Sequence, residues 1–223
     1  TNGNTLTPTY EPSLQDYVNG SVTLTLTGVG LATCPSVSDS MILTLIPSPT
    51  ANAGSNASIC VGETFTVSGA STNYESSLMW TSDGPGSLSG QTTITPTYTP
   101  NPGEYGTVTL TLTAQPLSPC NEAAISQMVL TIDQPAEIDL GVTSDTICQG
   151  EDYNLSATVS NHSGTYNWSS TGSGTFVNAN TPNPTYQSTA GDASLGSVII
   201  SLSVSSQGGC SSNAVASMTL NIT

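Results

Sequence analysis

The chain contains no lysine and no arginine. Ordinary proteins are about 25% charged with roughly half of that basic, so a chain this long would carry on the order of 25 such residues. Their absence excludes two classes of partner. Counterion-release binding to nucleic acid needs cationic side chains, and so does polybasic docking on anionic lipid. Phosphate clamps, Schiff-base chemistry and every trypsin-type cleavage site are lost with them. The acidic side gives a formal charge of −15, against a single histidine. Stability must then rest on apolar burial, backbone ladders and disulfides. Two origins fit the absence: drift of a secreted repeat toward Thr, Ser and Asn, and selection for protease resistance.

Helical patterning is missing too. No stretch carries an apolar stripe of 3.6-residue period, and nothing points to direct membrane insertion. What the chain has is alternation. Val22, Leu24 and Leu26 face one way and Thr23, Thr25 and Thr27 the other, the period-2 signal of a half-buried strand. Threonine on the wet face keeps β-propensity without charge. The 21 glycines and 14 prolines fall between the alternating runs, where turns belong. The reading is all-β.

The chain also repeats. Pro8-Thr9-Tyr10 returns as Pro96-Thr97-Tyr98 and Pro184-Thr185-Tyr186, a step of 88 residues each time. Val22 to Thr27 returns as Val108 to Thr113 and, degenerated, as Val198 to Ser203. Trp80 matches Trp168, and Cys60 with Gly62-Glu63 matches Cys148 with Gly150-Glu151. A period this long makes each repeat a domain with its own core, not a solenoid rung. The expected units are 1–46, the trailing part of a first repeat, then 47–134 and 135–223, both complete. Proline-rich joins (Pro47-Ser48-Pro49 and Gln134-Pro135) hold neighbours in semi-rigid line. In the middle unit, strands are expected at 50–53, 57–61, 64–69, 77–81, near Ser87, and at 93–99, 107–114 and 127–132. About seven strands in such a length, with turns every 8–12 residues, is the count of an immunoglobulin-like sandwich. Trp80 and Trp168 are expected at matching core positions, since a tryptophan in a small β domain packs a core far more often than it offers a ligand platform.

One string runs through the middle unit and returns, degenerated in its later parts, in the last: Cys-x-Gly-Glu, an apolar strand, Trp-x-Ser-x-Gly-x-Gly, Pro-Thr-Tyr, the Val-Thr-Leu-Thr-Leu-Thr-Ala run, a late Cys and Met-x-Leu-Thr-Ile. It resembles the PKD-like, immunoglobulin-like repeats of giant surface proteins exported by the type IX system in Bacteroidota, including gliding and attachment adhesins. The resemblance implies an extracellular location, tethered to the outer membrane or in a filament, and a stalk role. Exported proteins of that group are often O-glycosylated at Asp-Ser/Thr before an apolar residue. Ser40 (Asp39-Ser40-Met41) and Thr146 (Asp145-Thr146-Ile147) match. The Asn-x-Ser/Thr sequons at Asn19, Asn56, Asn154, Asn161, Asn167 and Asn221 are ascribed to chance in so Asn- and Ser-rich a chain.

The cysteines agree with export. They recur at fixed positions without Cys-x-x-Cys or His-Cys clusters, so disulfides are expected rather than zinc. The favoured pairing staples each complete unit, Cys60 to Cys120 and Cys148 to Cys210, with Cys34 paired outside the sequence. Strand order raises an objection, because Cys60 and Cys120 fall at opposite ends of a seven-strand sandwich and a disulfide needs Cα atoms within about 7 Å. The alternative is a staple across a junction, from Cys60 to Cys210.

Catalytic and metal chemistry find little support. His162 lies in the turn-like Asn161-His162-Ser163-Gly164, has no counterpart in the middle unit, and reads as a solvated loop residue. Gly84-Pro85-Gly86 and Gly172-Ser173-Gly174 follow strands but open no helix, so they read as turns rather than phosphate loops. Glycoside hydrolysis needs a carboxylate pair, and nothing singles one out among acids such as Asp83, Glu104 and Glu122. Asp133, Glu137, Asp139 and Asp145 crowd one junction, where tandem adhesins sometimes hold Ca²⁺. The matching stretch 46–58 holds no acid, so no metal and no cofactor is assigned. Asp16, Glu104 and Asp192 each follow the Pro-Thr-Tyr tyrosine by six residues, and are expected to bond backbone amides in a tight turn.

The expected function is a non-enzymatic extracellular stalk whose partners are its neighbouring repeats, with any glycan or surface bound by regions outside this sequence. A direct glycan- or surface-binding module is the rival; it would need exposed aromatics such as Tyr74, Tyr105 or Tyr166. A polymerising filament subunit is the third reading, through exposed edge strands.

Overall fold

A computed structural model describes all 223 residues. Half of the chain is strand and 5% helix, and two separate apolar cores organise it. One gathers Ala53, Ile59, Val67, Trp80, Tyr98, the Val108-Leu110-Leu112 stripe and the Met128-Leu130-Ile132 stripe. The other gathers Leu155, Tyr186, the Val198-Ile200-Leu202-Val204 stripe and the Met218-Leu220-Ile222 stripe. The alternation sets this directly. In Gly106–Pro116 every second residue from Val108 to Ala114 is buried, and the intervening threonines are half-exposed.

Each core closes its own sandwich. In the first, the sheet runs Ala57–Cys60, Ala124–Asp133, Gly106–Pro116, Glu75–Ser82 in spatial order. The outermost strand, Ala57–Cys60, is parallel to its neighbour, with Cys60 opposite Asp133. The facing sheet is Phe65–Thr66, Thr97–Thr99, Ser87–Ser89. The second sandwich repeats this plan with Ser144–Ile147, Asn213–Ile222, Ser197–Ser206, His162–Ser170 against Asp152–Asn154, Thr185–Gln187, Thr175–Val177. A short pair, Thr50–Asn52 with Ser71–Asn73, flanks the first, and Glu137–Asp139 with Thr158–Ser160 flanks the second. The strand Ser71–Asn73 has no apolar alternation and was not expected from sequence.

Residues 1–46 form a short helix, Leu14–Asn19, and one hairpin, Ser21–Gly28 with Val37–Thr44. Leu26 and Met41 are more than half exposed there, whereas Leu112 and Met128, their counterparts in the first sandwich, are buried. No second sheet covers this hairpin. The two helices are single short segments, Leu14–Asn19 and Ala190–Leu195.

Two expectations, the depth of Trp168 and the setting of His162, need correction. Trp80 is wholly buried, but Trp168 is only half-buried. The difference follows the neighbouring residue. Phe176 stands where the first sandwich has Leu88, and its larger ring packs against Tyr186 at 5.1 Å and against Trp168 at 6.1 Å. An interior is close-packed, so a larger neighbour leaves less room for the indole beneath the sheet. At the surface side, Trp168 Nε1 donates to the Thr181 carbonyl at 3.0 Å, whereas the Trp80 indole N–H has no acceptor. His162 is likewise not a loop residue. It opens the strand His162–Ser170 at a bulge, accepts from the Gly164 N–H on Nδ1 at 2.9 Å, and lies beside the Tyr166 hydroxyl.

Candidate functional site

The junction between the sandwiches holds the most specific chemistry. Cys60 is bonded to Cys210, with Cα atoms 4.6 Å apart and a sequence separation of 150. The pairing of Cys60 with Cys120 and of Cys148 with Cys210 is therefore corrected. The physical reason is the strand order. Cys60 ends the parallel edge strand at the trailing end of its sandwich, beside Asp133. Cys120 lies in the loop that joins Gly106–Pro116 to Ala124–Asp133, at the opposite end of the same hairpin. Cys34, Cys120 and Cys148 are unpaired in the structure.

Both halves of the bond are built by local turns. At Cys60 the Glu63 N–H returns to the Cys60 carbonyl, and the Glu63 carboxylate accepts from the Cys60 N–H at 3.1 Å. Gly62 supplies the left-handed backbone, φ +88°, that this turn requires. The Cys-x-Gly-Glu motif is thus a folded clip that presents the thiol. On the other side, the Cys210 N–H closes a turn onto the Gln207 carbonyl. The Gly209 N–H donates to the Asp133 carboxylate at 2.7 Å. A Cβ at Gly209 would come within 2.5 Å of Ile59 backbone atoms, so glycine there lets two main chains meet.

Three of the four junction acids are spoken for. Asp133 accepts from Gly209, Asp139 from the Gly141 N–H at 2.8 Å, and Asp145 from the Thr146 N–H and the Tyr153 hydroxyl. Burial, then the bond to Asp145, pushes the Tyr153 hydroxyl up to about 12. No three His, Cys, Asp or Glu side chains converge on a common point.

The recurring acids form a second, structural constellation. Tyr98 donates to Glu104 at 2.6 Å and accepts from the Gly86 N–H. Tyr186 donates to the buried Asp192 at 3.0 Å and accepts from Ser170 and Gly174. Tyr10 donates to Asp16 at 2.7 Å. Each acid also accepts a backbone N–H three residues before it, from Asn101, Thr189 or Ser13. Burial, then the Glu104 bond, pushes the Tyr98 hydroxyl up to about 12. Burial would raise Asp192, but bonds from the Ser173 and Thr189 amides and from the Tyr186 and Ser173 hydroxyls outweigh it and hold the carboxyl below its ordinary value. The paired glycines make room for the ring. A Cβ at Gly86 would lie 2.7 Å from the Tyr98 ring, and one at Gly174 would lie 2.5 Å from that of Tyr186. Gly-x-Gly here serves a tyrosine, not a phosphate.

Sequence inspection found the tyrosine–acid spacing but missed how the turn is closed. Asp16 and Asp192 cap a helical turn through complete capping boxes, while Glu104 spans the same gap without a helix. The signal was present. Six residues separate the aspartates from the following Val22 and Val198, and four separate Glu104 from Val108. The longer side chain replaces two residues of backbone.

The remaining candidates are scattered. A shallow cleft includes Asp83, Asn101, Glu104 and Tyr105, but Asp83 accepts from the Thr109 N–H, which lowers its pKa, and Glu104 is engaged as above. Tyr74 and Tyr105 are exposed, whereas Tyr166 is half-buried against His162. Tyr74 precedes Glu75, which pairs with Pro116, and Tyr105 precedes the other end of that strand. At about 3.3 Å per residue they stand roughly 40 Å apart and share no platform. Ser40 and Thr146 are both exposed on strands, each with its amide donating to the preceding aspartate.

No protein-family model matches this chain, and no curated relative does. Among solved structures it is similar to Sidekick-1 immunoglobulin domains 1–4, at 17% identity and TM-score 0.51, over 79% of this chain and 49% of that one. Sidekick-1 domains 1–5 match at 15% and 0.49, over 88% and 45%. Mouse clustered PcdhgC3 EC1-3 matches at 12% and 0.48, over 91% and 77%. The chain spans about half the length of the first of these. The likeness to the first of these shows the fold alone. The class it defines is tandem immunoglobulin-like β-sandwiches.

Proposed function

We propose that the chain is a set of extracellular spacer repeats of a cell-surface adhesin or surface filament, holding a distal adhesive region away from the cell. In this reading residues 1–46 are the trailing part of one repeat, and 47–134 and 135–223 are whole repeats in line. The observation that carries it is the Cys60–Cys210 bond, which ties consecutive sandwiches at their join. A covalent tie between neighbours serves a load-bearing spacer, and disulfides persist in oxidising, extracellular compartments. The lack of Lys and Arg suits a segment exposed to proteases. The motif string supports membership among type IX-exported repeats of Bacteroidota, with O-glycans at Ser40 and Thr146 in that host. No helix is long and apolar enough to cross a membrane.

The test is binding. The isolated chain is expected to stay monomeric and to bind no glycan array or host surface, while deletion of 135–223 from the full protein shortens its reach and leaves ligand specificity unchanged. Saturable binding by the isolated chain sinks the spacer reading. One observation favours the rival: Tyr74 and Tyr105 are exposed at opposite ends of the first sandwich, so Tyr74→Ala and Tyr105→Ala, made separately, would show which end binds if binding appears.

A further inference from the structure

Cys34, Cys120 and Cys148 are not left over at random. Each repeats the local geometry of one half of the bonded pair. Cys148 copies Cys60: the Glu151 N–H returns to its carbonyl, the Glu151 carboxylate accepts from its N–H at 3.0 Å, and Gly150 is left-handed at φ +87°. The carbonyl beside it is in place as well. The Asp133 carbonyl accepts from the Val61 N–H and meets Cys210 Sγ at 3.3 Å. The Thr223 carbonyl accepts from the Gln149 N–H, one residue past Cys148, with no cysteine against it.

Cys120 and Cys34 copy Cys210. Their N–H groups close the same turn, onto the Leu117 and Leu31 carbonyls. Cys120 Sγ lies 3.6 Å from the carbonyl of Ile46, two residues past the strand Val37–Thr44 that closes the preceding hairpin, much as Cys210 meets the carbonyl of Asp133 at the end of the first sandwich. The lead-in differs, with Ser118-Pro119 in place of Gly208-Gly209, yet the sulfur reaches the same kind of carbonyl. A junction is therefore assembled around Cys120 on its trailing side and around Cys148 on its leading side.

We infer that Cys120 and Cys148 are half-sites of the Cys60–Cys210 junction bond, and that each takes the opposite cysteine of an adjoining repeat, Cys148 from the repeat that follows and Cys120 from the one before. Cys34 is a half-site of the same kind as Cys120. The inference rests on the tandem-repeat reading and adds a rule to it: the Cys-x-Gly-Glu cysteine of one repeat bonds the late cysteine of the next.

The chemistry is thiol–disulfide exchange. One thiolate attacks the disulfide of an external oxidant such as glutathione disulfide, releasing one thiol of the oxidant. The second thiolate then displaces the other. Two protein thiols become one disulfide, and the oxidant leaves as two thiols that carry the electrons and protons. The consequence is an interlocked array. The loop closed by Cys60–Cys210 would overlap the loop ending at Cys120 over residues 60–120 and the loop starting at Cys148 over residues 148–210. Every backbone bond of the array's interior then lies within at least one closed loop, and no single cut separates it.

Two fusions test this. In one, a copy of residues 134–223 follows Thr223; in the other, a copy of residues 47–133 replaces residues 1–46. After oxidation with glutathione disulfide, non-reducing peptide maps are expected to link Cys148 to the appended copy of Cys210 in the first, and Cys120 to the prepended copy of Cys60 in the second. Cys148→Ser should leave the appended Cys210 open to alkylation and Cys60–Cys210 intact. If Cys60–Cys210 forms while Cys148 and Cys120 stay alkylatable or bond each other, the inference is overturned. If Cys60–Cys210 itself does not form, the inference fails at its root. Sedimentation of the same samples judges the array separately. An elongated monomer with a free Cys148 fails the inference alone, and a compact or self-associated fusion with the new bonds in place fails the spacer reading alone.

Discussion

The two sandwiches carry one motif string and solve it with different side chains. The first buries Trp80 in a core that Leu88 helps to cover, and bonds Tyr98 to Glu104 from a plain turn. The second lifts Trp168 beside Phe176 and bonds Tyr186 to a fully buried Asp192 that caps a helical turn. What is held constant is the tyrosine and a requirement on its hydroxyl. The buried tyrosine hydroxyl must have an acceptor, because an unpaired buried polar group costs about 1–3 kcal/mol. Core volume and acid length vary around that requirement.

The largest contrast should come from truncating the tryptophans. Trp80→Ala empties a wholly buried site, and about 3–5 kcal/mol of stability should be lost from the first sandwich. Trp168→Ala removes a half-buried ring, and about 1–3 kcal/mol should be lost from the second. Denaturant melts of each sandwich check this, and equal losses would break the comparison. Tyr186→Phe takes a donor from a buried carboxylate and should cost about 1–3 kcal/mol. Tyr98→Phe should cost less, because Glu104 is only half-buried and can rehydrate.

The pH profile sharpens the same pair. The Tyr98 hydroxyl sits at about 12 against an ordinary 10.0, so the fold favours its neutral form. That contribution is complete below pH 10.0 and is lost as pH rises through about 12. Alkaline titration should destabilise the first sandwich over that range, and Tyr98→Phe should flatten the slope. Asp192 lies below its ordinary 3.8. Its contribution is present above that value and is lost as pH falls through the lower folded value. Acid should therefore weaken the second sandwich, and Asp192→Asn should remove part of that sensitivity. The smallest effect expected is at the surface. Ser40→Ala and Thr146→Ala should leave stability within about 0.5 kcal/mol, and should each remove one glycan mass from protein made in the native host; an unchanged intact mass contradicts the proposed modification.

Much of the fold was legible because it rests on alternation and repetition, which are properties of neighbouring letters. Val108, Leu110 and Leu112 announce a buried stripe, and the 88-residue step announces separate cores. What was illegible depends on three-dimensional placement. Whether Trp168 lies beneath the sheet depends on Phe176, eight residues on. The cysteine partner depends on which end of a sandwich each loop occupies. Strand order already argued against Cys60 with Cys120, and the general habit of pairing within a domain misled the preference. The helical turns at Asp16 and Asp192 were hidden in a two-residue difference in spacing.

The central claim is that the junction bond fixes one sandwich on the next in a spacer. Small-angle scattering of the oxidised chain against Cys60→Ser, at matched concentration, tests it most directly. The oxidised chain is expected to give a single elongated envelope, with both sandwiches folded in both proteins and a broadened distance distribution only in Cys60→Ser. Indistinguishable profiles would show that the bond sets nothing at the junction and would contradict the account.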